Sequence, residues 1–237
     1  MFKITSLLDI LNKLIAKHAI TIFVCVTVAF GGYFVLATPP FMGIDEAAHF
    51  FRITQLSKGQ LLSDKLPSGQ YGGLVSSNID QISRLVIDQL PKENQKRHVF
   101  RPPAEYYDLL RQAPSKSQVL VPFTGSAVYS PVAYLPMIGS MFVVGKLDVS
   151  IASTIFILRI TNLIAFLALG ILSLWLVRSS QSRWFVLAIL LLPMSLFEAA
   201  TINGDAILIG LTMLFFSALV RYIYDEHPSR KIVVIVV

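Results

Sequence analysis

Residues 38–52 read TPPFMGIDEAAHFFR and directly follow an apolar segment at 19–37. Two prolines end the apolar segment, and residues 45–52 then bring two acids, a histidine and an arginine. Ionisable groups beside a membrane are costly unless they have partners or a use. This run is therefore the strongest indication of function in the sequence, and the side of the membrane that it faces decides what it can do.

The composition is that of an integral membrane protein. Of the 237 residues, 54% are hydrophobic and only 14% are charged, whereas a soluble domain carries about 25% charged residues. Many of the basic residues behind the net charge of +6 flank apolar segments, where they orient helices. We predict no nucleic-acid partner, because such a protein would show a basic face with interleaved aromatics. The single cysteine, Cys25, excludes an intrachain disulfide.

Segment length and apolar periodicity divide the chain into spans and a polar insert. A cleaved signal peptide is the alternative for the first span, but the apolar stretch is longer than the usual core of about 7–15 residues. Within the insert, periodicity predicts helices at 78–90 and 104–111 and a solvated loop at 92–98. The predicted segments are a cytoplasmic interfacial helix at 1–18, a transmembrane helix at 19–37, an extracytoplasmic loop at 38–150 with a juxtamembrane helix at 132–147, transmembrane helices at 151–177, 184–198 and 206–224, and at 232–237 the start of a truncated further span.

The positive-inside rule decides whether the apolar segment at 132–147 crosses the membrane. If this segment crosses, five basic residues that follow later spans all face outward; if it does not cross, all five face the cytoplasm. The rule favours a juxtamembrane or re-entrant helix and a cytoplasmic N-terminus. We predict a multi-pass protein of the inner (plasma) membrane. It also places the run at 45–52 and the loop at 201–205 on the same outer face. The five residues are Arg178, Arg183, Arg221, Arg230 and Lys231.

The acidic run allows a chemical and a structural interpretation. In a helix, Asp45, His49 and Arg52 lie at i, i+4 and i+7 on one face, with Glu46 beside it. A carboxylate there can act as a general base or bind a cation, and His49 and Arg52 can bind phosphate. Alternatively, the two acids only favour the dipole of the helix that follows, and Arg52 pairs with Asp45.

Three later motifs carry further candidates, each with a structural alternative. Tyr129 and Tyr134 in YSPVAYLP line a substrate groove or anchor the chain at the membrane interface. Arg159 pairs with an acidic partner or lines a cavity, or its side chain extends to the membrane surface. Asn203 and Asp205 in ATINGD add a second acid to the outer face, or form a turn and a helix cap.

The ordered combination of these motifs resembles the bacterial membrane proteins of domain-of-unknown-function family 2142. That family is in turn similar to the GT-C superfamily of multi-span glycosyltransferases, in which a first span precedes a long outer loop with an acidic motif. The residues that carry the resemblance are Pro40, Asp45, Glu46, His49, Phe50, Arg52, Tyr129, Pro131, Tyr134, Pro136, Arg159, Asn162, Pro193, Asn203 and Asp205.

The resemblance implies an all-α polytopic membrane fold, the N-terminal part of a GT-C-like enzyme. Such an enzyme transfers a sugar from a polyprenyl-phosphate donor to a cell-envelope acceptor on the extracytoplasmic face. Membrane lipids and the lipid-linked sugar are the implied partners, and a divalent cation on Asp45 and Glu46 is the only cofactor left open. The implied catalytic residues are Asp45, Glu46 and Asp205, and the implied substrate-binding residues are His49, Arg52, Tyr129, Tyr134, Arg159 and Asn203.

Two rival functions use the same residues differently. A transporter or flippase of lipid-linked glycans would use the arginines for phosphate and would need no catalytic acid. A non-catalytic envelope assembly protein would use the insert to bind a partner.

Overall fold

A computed structural model of the chain describes residues 17–89, 101–177 and 180–224. These residues are mostly helical. The predicted interfacial helix, apart from residues 17 and 18, lies outside the described residues, as do the predicted loop at 92–98 and the segment 232–237.

Three helices are long and apolar enough to cross a membrane. They have 21, 26 and 19 residues, and a span needs about 20. They coincide with the spans predicted at 19–37, 151–177 and 206–224, and their length and composition are consistent with a membrane protein. Their bounds are Lys17–Ala37, Ile151–Leu176 and Asp205–Ile223.

The segment predicted as a transmembrane helix at 184–198 is not one continuous helix. Two shorter helices, Ser180–Leu190 and Pro193–Ala199, take its place, and their axes differ by 57°. Pro193 is the cause, because its ring has no N–H to donate and clashes with the preceding turn of a continuous helix. The pair forms a broken span or a re-entrant loop.

The described residues form two compact units. The apolar unit comprises residues 17–36, 163–200 and 205–224. Its helices approach closely at small residues: a Cβ atom at Gly31 would lie 2.6 Å from Leu163 Cδ1, and one at Gly210 would lie 2.7 Å from Leu169 Cδ1. Helices in lipid associate through such close packing, because burial of apolar groups gives no advantage there.

The polar unit comprises residues 37–89, 101–162 and 201–204. Its core is apolar and continuous, with Phe50, Ile53, Ile82 and Met137 completely buried. The helices predicted at 78–90 and 104–111 are present as Ser77–Ile87 and Ala104–Leu110. The other helices of this unit are Glu46–Ser57, Thr124–Ala127, Leu135–Val144 and residues 151–162 of the long helix.

The expectation of an all-α protein misses a small antiparallel sheet in the polar unit. Its strands are β1 (Asp64–Lys65), β2 (Tyr71–Ser76) and β3 (Gln118–Pro122), in the order β1-β2-β3. The register of β2 and β3 runs from Gly72 opposite Pro122 to Ser76 opposite Gln118. The strands are short, β2 contains two glycines and β3 ends in a proline, so the period-2 alternation that predicts a strand is weak in the sequence.

The apolar segment predicted as a juxtamembrane helix is a short helix of the polar unit. A 3-10 turn at Pro131–Tyr134 leads into the helix Leu135–Val144, which is too short for the roughly 30 Å of a hydrocarbon core. Met137 and Met141 are buried in the same core as the Glu46–Ser57 helix. The length of the Leu135–Val144 helix supports the prediction that this segment does not cross the membrane.

Candidate functional site

A completely buried ion pair joins Glu46 to Arg159. Arg159 Nε donates to Glu46 Oε1 at 2.7 Å, and Arg159 Nη2 donates to Glu46 Oε2 at 2.6 Å. Two parallel hydrogen bonds of this kind are the strongest geometry that an arginine and a carboxylate can form. The acidic partner that an arginine in an apolar helix needs is therefore Glu46.

Two backbone amides complete the surroundings of the Glu46 carboxylate. Ile202 N donates to Oε1 at 3.1 Å and Gly43 N donates to Oε2 at 3.2 Å. Each oxygen thus accepts two hydrogen bonds, which fills the four acceptor positions of a carboxylate. Glu46 has no acceptor position left for a substrate proton or a cation, so this geometry favours a structural role for it.

The guanidinium of Arg159 also holds the loop before the acidic run. Nη1 donates to the carbonyl of Thr38 at 2.6 Å, and Nη2 donates to the carbonyl of Pro39 at 3.0 Å. The pair therefore ties together the loop at 38–46, the Ile151–Leu176 helix and the segment at 201–204. We call Glu46, Arg159 and these backbone partners the clasp.

Asp45 precedes the Glu46–Ser57 helix and lies in the left-handed region, with φ 51° and ψ 17°. Phe41 lies there too, with φ 62°, and its buried ring contacts the rings of Phe50 and Phe51. Non-glycine residues in this region cost of order 1–3 kcal/mol each, persist only where the surroundings enforce them, and cluster at functional sites. The clasp and the Phe41 ring help to hold this loop in place.

The side chain of Asp45 is exposed. Among the residues that the structure describes, none donates a hydrogen bond to its carboxylate, and it forms no side-chain cap on the helix. Two adjacent acids therefore have opposite surroundings: Glu46 is buried and saturated, whereas Asp45 can accept a proton or a ligand.

Asp45 lies on a cleft of ≈ 660 Å³ in the polar unit. Most of the lining is apolar, from Met42, Ile44, Phe51, Ile87, Val121 and Pro122. Asp45, Asp80 and Arg84 are the ionisable residues of the lining besides Glu46. The volume falls within the roughly 300–1,000 Å³ of small-molecule sites. Because Asp45 lines this cleft, it is the candidate substrate site.

His49, Tyr129 and Tyr134 form a ring cluster in the same unit. His49 Nδ1 and Tyr134 Oη share a hydrogen bond of 2.6 Å. The rings of His49 and Tyr129 meet edge to face with centroids 5.2 Å apart. The structure thus brings together three residues that the sequence singled out separately, and their binding of substrate stays a prediction.

Arg52 is also buried, and its guanidinium binds residues that do not belong to this cluster. Nη1 donates to Gln55 Oε1 at 2.6 Å, and Nη2 donates to the carbonyl of Leu61 at 2.8 Å. Burial lowers the pKa of Arg52. The expected common face of Asp45, His49 and Arg52 does not form, because Asp45 has left-handed rather than helical backbone angles. Arg52 instead fixes the segment that follows its helix.

Asn162 and Asn203 hold the segment 201–204. Asn162 Nδ2 donates to the carbonyl of Thr201 at 2.8 Å, and Asn203 Nδ2 donates to Thr201 Oγ1 at 2.9 Å. Asn203 is buried in these contacts. Asp205 begins the Asp205–Tyr224 helix, where an acid favours the helix dipole. A joint catalytic role for Asp45 and Asp205 stays a prediction.

Within the described residues, no group of three His, Cys, Asp or Glu side chains is placed to hold a metal ion. The cleft does contain two residues that the sequence analysis missed, Asp80 and Arg84. Their i, i+4 spacing on an amphipathic helix could have indicated an ion pair. Only the tertiary structure puts that pair beside Asp45.

Comparisons with known proteins identify a family but no characterised relative. No curated protein and no solved structure matches the chain significantly. The family model described as "Predicted membrane protein (DUF2142)" matches residues 28–237, which is most of the chain. The chain therefore belongs to the DUF2142 family of predicted membrane proteins.

Proposed function

We propose that this protein is a GT-C-like membrane glycosyltransferase that moves a sugar from a polyprenyl-phosphate donor to a cell-envelope acceptor on the extracytoplasmic face. One observation carries the proposal: Asp45 presents an exposed carboxylate to a largely apolar cleft from a backbone conformation that the clasp holds in place. Strained backbone is a feature of reactive sites, where it fixes a reacting group in advance.

The chemistry assigned to Asp45 is general base catalysis. Its carboxylate takes the proton of an acceptor hydroxyl while the hydroxyl oxygen forms a bond to the anomeric carbon of the sugar. The bond between that carbon and the phosphate oxygen breaks, and the lipid phosphate leaves with the electron pair. A carboxylate can do this only with a free lone pair, a condition that Asp45 meets and Glu46 does not.

The clasp supports this role by positioning Asp45. Glu46 follows Asp45 directly, and its buried ion pair fixes the backbone at the first turn of the helix. A reacting group must be held within a fraction of an ångström of its productive position. Glu46 and Arg159 are therefore positioning residues in this proposal, and Asp45 is the catalytic one.

The proposed orientation has a cytoplasmic N-terminus and an extracytoplasmic polar unit in the inner (plasma) membrane. The basic residues after the later spans and the short Leu135–Val144 helix support it. In a Cys25→Ser background, we expect single cysteines at Ser68 and Gln181, both exposed, to react with impermeant reagents from opposite sides. Labelling of Ser68→Cys from the cytoplasmic side would overturn this orientation.

The function is tested with the full-length protein in lipid nanodiscs that contain a polyprenyl-phosphate-linked sugar. We expect Asp45→Asn to reduce sugar transfer by at least about 100-fold, the order of a general base contribution. Asn is well suited to the left-handed region, so the variant keeps the fold. Asp108→Asn is the matched control, because Asp108 is another exposed acid of the same unit.

Transfer at the wild-type rate by Asp45→Asn would overturn the proposal. A flippase would be favoured by two results together. The wild type would move the lipid-linked sugar across the bilayer without transferring it, and Asp45→Asn would move it at the same rate.

A further inference from the structure

The proposed donor carries a phosphate into a cleft with mostly apolar walls, where its charge needs a cationic partner. The arginines that the sequence offered are already in use: Arg159 binds Glu46 and two carbonyls, and Arg52 binds Gln55 and a carbonyl. Both are buried. The phosphate partner must come from another residue of the cleft lining.

Arg84 is the basic residue of that lining. It lies on the Ser77–Ile87 helix, and its Nε donates to Asp80 Oδ2 at 2.8 Å. The contact uses the Nε edge of the guanidinium, so the two terminal amino groups keep their donors. The side chain of Arg84 is 69% exposed, whereas that of Asp80 is 11% exposed. Asp80 is thus the fixed partner and Arg84 the accessible one.

The alternative for this pair is ordinary helix stabilisation. An i, i+4 pair on a helix surface contributes only about 0.3–0.5 kcal/mol, so stability alone gives a weak reason for its presence. Its position is more informative. Arg84 shares the cleft with the exposed carboxylate of Asp45 and with the apolar side chains of Phe51, Ile87 and Val121. The cation suits the phosphate of a lipid-phosphate substrate, and the apolar wall suits its chain. The carboxylate of Asp45 is the base that the acceptor hydroxyl needs.

We propose that Arg84, held in place by Asp80, binds the phosphate of a lipid phosphate whose chain lies against the apolar wall of the cleft. The proposal rests on the proposed function for its substrate class and adds the residue that recognises the leaving group. Two terminal amino groups can donate to two phosphate oxygens at once, which a lysine ammonium does not reproduce.

The test measures binding rather than turnover, with the full-length protein in nanodiscs and polyprenyl monophosphate as the probe. Polyprenol, which lacks the phosphate, and inorganic phosphate, which lacks the chain, are the comparison probes. We expect Arg84→Ala to weaken binding of polyprenyl monophosphate at least about tenfold, as expected for hydrogen bonds to a charged group. Binding of polyprenol should not change, and Arg84→Lys should fall between.

Arg111→Ala is the matched control. Arg111 is also an exposed arginine of the polar unit that faces an acid on its own helix, Asp108, at 3.9 Å, but it does not line the cleft. Equal binding by Arg84→Ala and the wild type would overturn the proposal. Equal losses in Arg84→Ala and Arg111→Ala would also overturn it. Competition by inorganic phosphate as strong as that by the lipid phosphate would show that the site selects free phosphate.

The two proposals fail separately. If Asp45→Asn abolishes transfer while Arg84→Ala binds the donor normally, the role of Arg84 is wrong and the proposed function stands. If polyprenyl monophosphate binds through Arg84 but Asp45→Asn transfers sugar like the wild type, the catalytic role of Asp45 is wrong and the phosphate site stands.

Discussion

Arg159 binds both carboxylate oxygens of Glu46 although 113 positions of sequence separate the two residues. Both side chains are completely inaccessible to solvent. Because Ile202 N, Gly43 N and the carbonyls of Thr38 and Pro39 share the same pair, one ion pair fixes three separate segments of the polar unit. The loop that presents Asp45 depends on it.

Breaking this ion pair should destabilise the protein strongly. We expect Glu46→Gln or Arg159→Met to lower the free energy of unfolding by about 3–5 kcal/mol, because each leaves a buried charge without its partner. Thermal unfolding of the purified protein in detergent measures the loss. The double variant Glu46→Leu/Arg159→Met should lose less than the sum of the single variants, since it leaves no unpaired charge. Purely additive losses would contradict this account.

The left-handed backbone at Asp45 predicts an unusual order of tolerated residues. We expect Asp45→Gly and Asp45→Asn to unfold at or above the wild-type temperature, because both residues adopt positive φ readily. Asp45→Val should cost about 1–3 kcal/mol, since a β-branched residue is strained there. Asp108→Val, at an exposed helical position, is the control and should change stability little. If valine were as well tolerated at 45 as at 108, the strained conformation would not be present in solution.

Two glycines allow the segment 201–204 to pack closely, and alanine should not fit at either. A Cβ atom at Gly204 would lie 3.0 Å from Ala133 Cβ and 3.1 Å from Tyr129 Cδ1. One at Gly43 would lie 3.0 Å from Thr201 Cβ. We expect Gly204→Ala and Gly43→Ala to cost about 1–3 kcal/mol each through overpacking.

Gly125→Ala is the control for these two variants, because a Cβ atom there would meet nothing within 4 Å. Chemical denaturation of the three variants side by side gives the comparison. Three equal stabilities would mean that the segment 201–204 packs more loosely than the structure shows.

Tyr106 should make the protein less stable as the pH rises into the alkaline range. Its hydroxyl donates to the carbonyl of Pro40 at 2.9 Å, and burial raises its pKa above the ordinary 10.0. Above about pH 10 the unfolded chain loses the Tyr106 proton while the folded chain keeps it, so stability falls as pH rises. For this one group the slope is at most about 1.4 kcal/mol per pH unit.

Tyr106→Phe removes this contribution and leaves all other titrating groups in place. We therefore expect the difference in stability between wild type and variant to shrink as the pH rises from 9 towards 11. A difference that stays constant over this range would show that Tyr106 ionises equally easily in both states.

The spans and the helices of the insert follow from the sequence because they depend on local patterns. Lys17–Ala37 and Ile151–Leu176 are long apolar runs, and the Ser77–Ile87 helix has apolar residues at helical spacing. The sheet does not follow, because β2 and β3 pair across more than forty residues and neither has a strong strand pattern. The bend before Pro193 was not predicted, because one proline is a weak signal within an otherwise continuous apolar run.

The sequence by itself determined that the chain is a membrane protein and that residues 45–52 carry its most informative side chains. It could not separate Asp45 from Glu46, because adjacent carboxylates have the same local chemistry. Only the tertiary structure assigned them, since burial and hydrogen bonding come from partners at positions 43, 159 and 202. Glu46 became the anchor of the fold, because a helix more than a hundred residues away supplies the arginine that pairs with it. Asp45 instead presents an exposed carboxylate to a cleft.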